Sequence, residues 1–425
     1  MNLVVFEDSL ADQLHPANTG RPTYAVTIGS FRLIDWLRQL EQRLVGWVRP
    51  YLFEIQAADY PDVDNQLDAR QDWSLLVNAR IVPSPSAYHI LKLLAKRQAP
   101  CVMQSESETL LALLPTSYLR SMATNQKNET LASSVFSEPV LKRILASVDP
   151  PPQPLPVQLE TVQHPHQLVQ YQLKIIGECL QHRLETGRFQ QLQEGLFVGQ
   201  GVQLPRDFVV NSKSGPVLID DGASLGPYTY LAGPVYIGPK SKVIEHASIK
   251  DAVCLGHTTK VGGEVEASIV EPYTNKQHHG FLGHSYVGSW VNLGAGTCNS
   301  DLKNTYGEVK MEYAYGKVNT GSQFVGCLVG DYSKSAINTS IFTGKLIGVC
   351  SMVYGFVTTN VPSFVNYARH FGQVTEMGPN VMVATQARMF ARRQVTQREC
   401  DIQLIHDMHE RTRRERLLSE EPLSL

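Results

Sequence analysis

No uncharged apolar run in the chain approaches the length of a membrane span, so no spanning helix is expected. Charge of one sign is not in excess either. A formal net charge of −2 gives no general attraction to nucleic acid or to an anionic membrane surface. The opening residues, MNLVVFEDSL, have no basic start and no small-residue cleavage site, and they turn acidic by Glu7 and Asp8. A secretory signal is therefore not read there, and the expected location is cytoplasmic. The seven cysteines (Cys101, Cys179, Cys254, Cys298, Cys327, Cys350 and Cys400) are scattered, odd in number and never spaced CxxC. That pattern suits free thiols better than a disulfide framework or a cysteine-zinc site. What is present is 425 residues, 43% apolar and 18% charged, enough for two or three ordinary globular domains.

The strongest positive signal is a period of six. An aliphatic residue recurs at Ile219, Leu225, Leu231, Ile237, Val243, Ile249, Leu255 and Val261. Four residues after each stands a small or β-branched one: Ala223, Thr229, Val235, Ser241, Ala247, Val253, Thr259 and Val265. Helices repeat at 3.6 residues and strands at 2, so neither accounts for this. A hexapeptide period marks a parallel β-helix. Three hexads make a triangular coil of about 18 residues, with the aliphatic residue pointing inward. The step stops after Val265 and returns at Val329, Ser335, Ile341, Ile347 and Val353.

Two interruptions lie between, 267–281 and 299–323, and insertions in a solenoid leave it as loops on one face. The first contains most of Asn275–His284, NKQHHGFLGH, whose three histidines then lie on or beside an excursion from a rigid scaffold, a usual place for chemistry.

The first half reads differently. MNLVVF, YLFEIQ and WSLLVNARIVP have the look of short buried strands, and SFRLIDWLRQLEQRLVGWV and SAYHILKLLAKRQA of amphipathic helices. Alternating strand and helix predicts an α/β domain with a mainly parallel sheet. A proline-rich break, DPPPQPLPV (149–157), precedes a helix over 164–187. The expected division is an α/β domain over 1–160, a helical linker over 161–204, a β-helix over 205–365 and a C-terminal helical tail over 366–425. Eight arginines face seven acids from Ala387 onward, the mark of a solvated helix.

At NLGAGTCNSDLKN (292–304), with His278 and Phe281-Leu282-Gly283 upstream, the sequence resembles a known family. It is similar to the bifunctional N-acetylglucosamine-1-phosphate uridyltransferase / glucosamine-1-phosphate acetyltransferase family, and to a divergent bacterial branch of sugar nucleotidyltransferases. The resemblance implies a left-handed β-helix, a homotrimer, acetyl-coenzyme A (acetyl-CoA) as acyl donor, and a sugar phosphate and a nucleoside triphosphate as partners. It gives His278 the part of general base, a role suited to a group titrating near neutrality. Asn292 and Asn299 would bond the sugar or position the acetyl group, and Lys303, with Lys276, would meet the sugar phosphate. Ala295 and Cys327 fall where the family's backbone contacts the pantetheine arm. Phe281 replaces a tyrosine, so one hydroxyl contact to substrate is missing. His279 and His284 are unexplained by the resemblance.

The N-terminal match is thinner. LHPANTGRPTYAVTIGSFRLID (14–35) is similar to the nucleotidyltransferase segment in which a lysine follows Arg-Pro; here Arg21-Pro22 is followed by Thr23. The acidic FEDSLADQ stands where the family has a glycine-rich loop, and LLVNARIVPS has no aspartate for a metal. The resemblance leaves room for a magnesium ion (Mg2+) in this domain, and Arg21, Asp35 or Asp8 would then have to serve the nucleotide. Losing loop, lysine and aspartate together predicts slow nucleotidyl transfer.

Two other functions stay open. Trimeric β-helices of the carbonic anhydrase type bind zinc through histidines five apart; His279 and His284 have that spacing, with His257 or His246 as a third ligand. A non-catalytic sugar-nucleotide sensor is the other.

Overall fold

The structure, a computed structural model, describes residues 1–105, 108–125, 138–185 and 187–417. It has two compact units. The first comprises Met1–Leu14, Gly20–Val26 and Phe31–Gln163; the second holds His15–Thr19, Thr27–Ser30 and the chain from His164 onward.

The first unit is built on one sheet, in the spatial order Val63–Asp64, Arg43–Trp47, Asn2–Phe6, Trp73–Asn78, Glu108–Pro115, Cys101–Ser105 and Gln153–Pro154. The first four strands run parallel, and Glu108–Pro115 runs antiparallel to both neighbours. Val4, Phe6, Val45, Trp47, Leu76, Ala112 and Leu114 form its core with Leu119, Leu141 and Ile144.

The mainly parallel sheet stands as expected, but two elements change type. The helix expected across SFRLIDWLRQLEQRLVGWV is confined to Leu33–Arg38. The chain turns at Glu41, which has φ 53°, and Arg43–Trp47 becomes a strand beside Asn2–Phe6. A strand buried on both faces has no alternation to show, so its apolar run merged with the helix before it. Conversely YLFEIQ enters the helix Phe53–Asp59, started by a turn with Pro50 at its first position.

The second unit is a parallel β-helix. Its coils stack with Ile219 beside Ile237, Leu225 beside Val243, and Leu231 beside Ile249. All eight periodic aliphatic residues join one buried column. After Val261 the coils shorten instead of looping out. Ile249 stands beside Val265, Leu255 beside Val270 and Val261 beside Lys276. Residues 267–281 are thus continuous wall and corner, and the histidines sit on the prism itself. The interruption at 299–323 is a real insertion. There Val287 stands beside Val329, 42 positions on, and the added chain carries the hairpin Lys310–Tyr313 with Gly316–Asn319.

The helix Gln167–Glu185 is part of this unit, packing Ile176 and Leu180 on Leu218, Tyr236 and Cys254. Just before it, His166 Nδ1 meets Tyr313 Oη of the inserted hairpin at 2.7 Å and His164 Nδ1 meets Tyr315 Oη at 2.9 Å. The C-terminal segment is docked, not solvated. Met382, Phe390, Leu404, Ile405 and Met408 are buried, Phe390 packs on Trp290, and Arg416 reaches Glu376 at 2.7 Å. Residues 418–425 of that tail lie outside the described residues.

Candidate functional site

Two corners of the β-helix carry the chemistry-bearing residues. The first begins at the strand Asn275–Lys276. His278 and His279 follow it, both exposed on the bend. On the next coil Asn292–Thr297 turns the same corner. The Gly296 amide donates to the His279 carbonyl at 3.0 Å, and the Asn338 amide one coil further donates to the Ala295 carbonyl at 2.7 Å. Gly296 has φ 74°, a conformation that favours glycine. At Gly294 a Cβ would come within 2.6 Å of the Ala336 backbone, so no larger residue fits between the coils. The structure thus brings His278, His279, Asn292 and Ala295 to one corner. Asn292 is exposed, Ala295 is half-buried, and the His278 ring has no partner among the described residues.

Three of the other expected site residues face the wrong way. Lys276 occupies the inward position after Val261 and is 2% exposed. Its ammonium donates to the carbonyls of Gly262 at 2.8 Å, Gly280 at 2.6 Å and His278 at 3.3 Å. Burial holds it down to about 8. A phosphate cannot reach it without dismantling the corner. Asn299 takes the inward rung shared with Ile341; its amide accepts from the Gly283 N–H at 2.8 Å and donates to the Gly283 carbonyl at 3.0 Å. It pins two coils together and does not face a sugar. Cys327 is buried, its thiol pushed up to about 11 by burial, and its amide donates to Ser285 Oγ at 3.0 Å. That amide is not open to a pantetheine arm. Phe281 is half-buried on the outer wall, where its amide donates to Cys298 Sγ at 3.4 Å.

The second corner was missed. His284, with φ 46°, turns the chain after the strand Phe281–Gly283. Its Nδ1 meets Asp301 Oδ2 at 2.9 Å, and its ring stacks on Phe324 with centroids 5.1 Å apart. Asp301 and Phe324 are the two ends of the insertion, which closes through a backbone bridge between Leu302 and Phe324. The corner continues over the next two coils: the Gly326 amide donates to the His284 carbonyl at 2.9 Å and the Gly344 amide to the Gly326 carbonyl at 2.8 Å. Lys345 follows. It is half-buried; burial lowers its pKa, Glu312 opposes that, and the charge of nearby Lys303 lowers it again. Lys303 itself donates to the Glu308 carbonyl. A one-coil offset was the available signal, since Leu282 follows Val265 by the same 17 positions that separate Asp301 from His284.

The zinc arrangement is not assembled. His246 stacks on Tyr228, His257 sits edge-on to Tyr273, and His284 is held by Asp301. Among the described residues no three histidine, cysteine or acidic side chains converge as a metal site.

In the first unit, the carboxyl end of Asn2–Phe6 is where an open α/β sheet takes its ligand. Here it is filled by a closed set of charges. Glu7 accepts from the Thr23 amide and hydroxyl, each at 2.7 Å, and from Arg49 Nε at 3.0 Å. Asp8 is held by Arg80 at 2.6 and 2.9 Å and by Asn78 at 2.7 Å, and Arg80 also reaches Glu108 at 2.6 Å. Asp35 caps the helix Leu33–Arg38 and pairs with Arg32 at 2.7 Å. The Arg21 carbonyl accepts from Arg49 Nη2 at 3.1 Å. Carboxylates bound this fully by arginines do not suit a magnesium ion, and Asn78 stands where a metal aspartate was sought.

Residues 3–181 match a family model described as sugar nucleotidyl transferase. The chain is similar to the bifunctional sugar-1-phosphate nucleotidylyltransferase/acetyltransferase of Sulfurisphaera tokodaii, 29% identical over 34% of this chain and 37% of the relative. It is also similar to the bifunctional protein GlmU of Cupriavidus pinatubonensis, 31% identical over 26% of this chain and 24% of the relative. The match thus spans well under two-thirds of either relative's length. Among solved structures it is similar to the UDP-N-acetylglucosamine acyltransferase of Francisella novicida, 14% identical with a TM-score of 0.34 over 55% of this chain and 81% of that chain. The chain resembles the bifunctional nucleotidylyltransferase/acetyltransferase family, its residues 3–181 matching the sugar nucleotidyl transferase model.

Proposed function

We propose that the chain is a transferase that moves the acetyl group of acetyl-CoA onto the amine of an amino sugar phosphate of the glucosamine-1-phosphate kind. The observation that carries this is the stacking of the His278–His279 corner on the Asn292–Thr297 corner through the Gly296–His279 hydrogen bond. It joins the two stretches on which the resemblance rests. The bifunctional relatives support the same class. The chemistry asks the protein for a base near the amine and for cations near the phosphate. A histidine of the Asn275–His284 stretch meets the first need. The resemblance names His278. Lys303 on the insertion meets the second.

In this reading the first unit transfers nucleotides slowly, because the closed sets around Glu7 and Asp8 occupy the strand ends where phosphates would bind. The assembly is a homotrimer, and the location is cytoplasmic, where such substrates are made. Among the described residues no helix is long and apolar enough to cross a membrane.

The test is release of coenzyme A thiol from acetyl-CoA in the presence of glucosamine-1-phosphate. Substrate-dependent turnover is expected. No turnover on any amino sugar phosphate, with nucleotide binding retained, would favour the sensor instead.

A further inference from the structure

We propose that Lys242, Lys260, Arg392 and Arg393 form a phosphate-binding site on one wall of the β-helix, and that the site takes the diphosphate of a nucleotide.

On a β-helix wall the residue next to an inward aliphatic one points outward. Val243 and Val261 are inward, so Lys242 and Lys260 point outward on adjacent coils, about 4.8 Å apart along the wall. Asn275 follows Lys260 in the same column, and Asn292 and Lys334 follow Asn275. From Ser224 to Lys334 this column holds no acidic residue. The next wall shows the contrast. There Lys250 is paired with Glu264 at 2.9 Å and with Glu266 at 3.2 Å.

The other two cations come from the C-terminal segment. Phe390, near the end of the helix Pro379–Ala391, packs on Trp290 with ring centroids 4.4 Å apart. The Arg393 amide then closes a turn on the Phe390 carbonyl at 2.9 Å. This seat brings the Arg393 guanidinium to Asn275, where Nη2 donates to Oδ1. A guanidinium can only donate, so Asn275 turns its oxygen to Arg393 and leaves its Nδ2 as a further donor. Among the described residues none of the four cations is paired with a carboxylate. Lys260 and Arg393 are half-buried. Burial lowers the Lys260 pKa, and the charges of Arg393, Lys242 and Arg392 lower it further.

The wall thus presents donors gathered without an acceptor. Like charges held together and partly out of water are relieved by an anion, and charged donors make strong hydrogen bonds to phosphate oxygens. The arginine fork grips two such oxygens at once. From Lys242 to Asn275 the column covers two coil spacings, about 10 Å, wider than one phosphate and suited to linked ones. The strand Asn275–Lys276 runs on into His278, so a nucleotide held here by its diphosphate lies beside the His278–His279 corner. Acetyl-CoA is one nucleotide of this kind and a nucleoside diphosphate sugar is another. The diphosphate is common to both.

Calorimetric titration of the full chain tests the site, with inorganic pyrophosphate, coenzyme A and UDP-N-acetylglucosamine as separate probes. Pyrophosphate is expected to bind. Lys260→Met and Arg393→Met should each weaken that binding about tenfold, the worth of one charge-assisted contact. Lys310→Met, which removes an exposed lysine from the hairpin, should leave it unchanged. The ligand-free protein supplies a second readout. Lys260→Met should keep or raise the melting temperature, because a repelled charge is gone, whereas a lysine kept for the fold would lower it. The same weakening toward coenzyme A identifies the acyl donor as the ligand, and toward UDP-N-acetylglucosamine a sugar nucleotide. Pyrophosphate bound with neither nucleotide overturns the nucleotide assignment. Pyrophosphate that does not bind, binding that both variants retain in full, or a lowered melting temperature in Lys260→Met overturns the site. Binding is read without turnover, so a chain unable to transfer acetyl groups leaves the result standing.

Discussion

The Lys276 ammonium lies inside the β-helix, 2.6 Å from the Gly280 carbonyl oxygen, on the rung where the two preceding coils put Val243 and Val261. A lysine among aliphatic side chains is tolerated here because the shortened coil turns three carbonyls inward to meet it. The arrangement trades desolvation of a charge against otherwise unmet acceptors.

The Lys276 amine therefore makes stability depend on pH with a definite sign. Its folded value of about 8 lies below the ordinary 10.5 of a lysine. The penalty for burying the charge is fully present below about pH 8 and is relieved as pH rises toward 10.5, because the unfolded chain then binds more protons. Lys276→Met removes that slope. Between pH 7 and 9 the wild type should gain about 1 kcal/mol relative to Lys276→Met. Thermal melts of both proteins across that range measure it, and a constant gap would place the ammonium in water.

Asn299 gives a cleaner separation of structure from binding. Its side chain pairs with both backbone groups of Gly283 inside the prism. Asn299→Leu, a near-isosteric apolar replacement, leaves the Gly283 amide unmet and should cost about 1–3 kcal/mol. KM for the sugar should not change. A raised KM at unchanged stability would return Asn299 to the substrate.

In the first unit, Arg80 is 1% exposed and bonds both Asp8 and Glu108. Removing one member of a buried pair strands the other's charge, so Arg80→Met should destabilise this unit by about 3–5 kcal/mol. The double variant Arg80→Met/Asp8→Asn should recover much of that. Trp36, Trp47 and Trp73 belong to this unit and Trp290 to the other, so denaturant unfolding followed by tryptophan fluorescence reports mainly on it.

The inserted hairpin should respond to acid. Burial pulls His166 down to about 4, with the neighbouring His164 adding to the effect. A folded value below the unfolded 6.5 means the contribution is present above about pH 6.5 and is lost as pH falls toward 4. Amide exchange across 310–319 should therefore accelerate over that window more steeply than in the Ile219–Val261 coils. His166→Gln should flatten the response.

The sequence period was readable where each coil kept 18 residues, from Ile219 to Val261, because stacking then puts an aliphatic residue at every sixth position. It misled at 267–281, since a coil needs only one inward side chain above another and does so equally well with 15 residues. Val265 shows this: four places after Val261 it fits the small-residue position, yet it stands beside Ile249 in the core. The same uncertainty hid Lys276 and Asn299, whose polarity advertised a surface site while their register turned them inward. The histidine cluster was visible as chemistry. That His284 and Asp301 meet was not, because pairing one coil apart is visible only once the coil length is known. The expected helix at 30–48 failed for a related reason: a buried strand and a helix core look alike over few residues.

Lys303 offers the sharpest test of substrate class. It stands on the insertion, where its ammonium donates to the Glu308 carbonyl. If it receives a phosphate, the contact is made equally in the bound state and the transition state, so losing it raises KM without lowering kcat. Lys303→Met should raise KM for glucosamine-1-phosphate by about tenfold, the worth of one charge-assisted contact of about 1.4 kcal/mol. KM for acetyl-CoA should stay the same, and turnover of unphosphorylated glucosamine, slow in both proteins, should be unaffected. A KM increase for acetyl-CoA alone would assign Lys303 to the phosphates of the coenzyme.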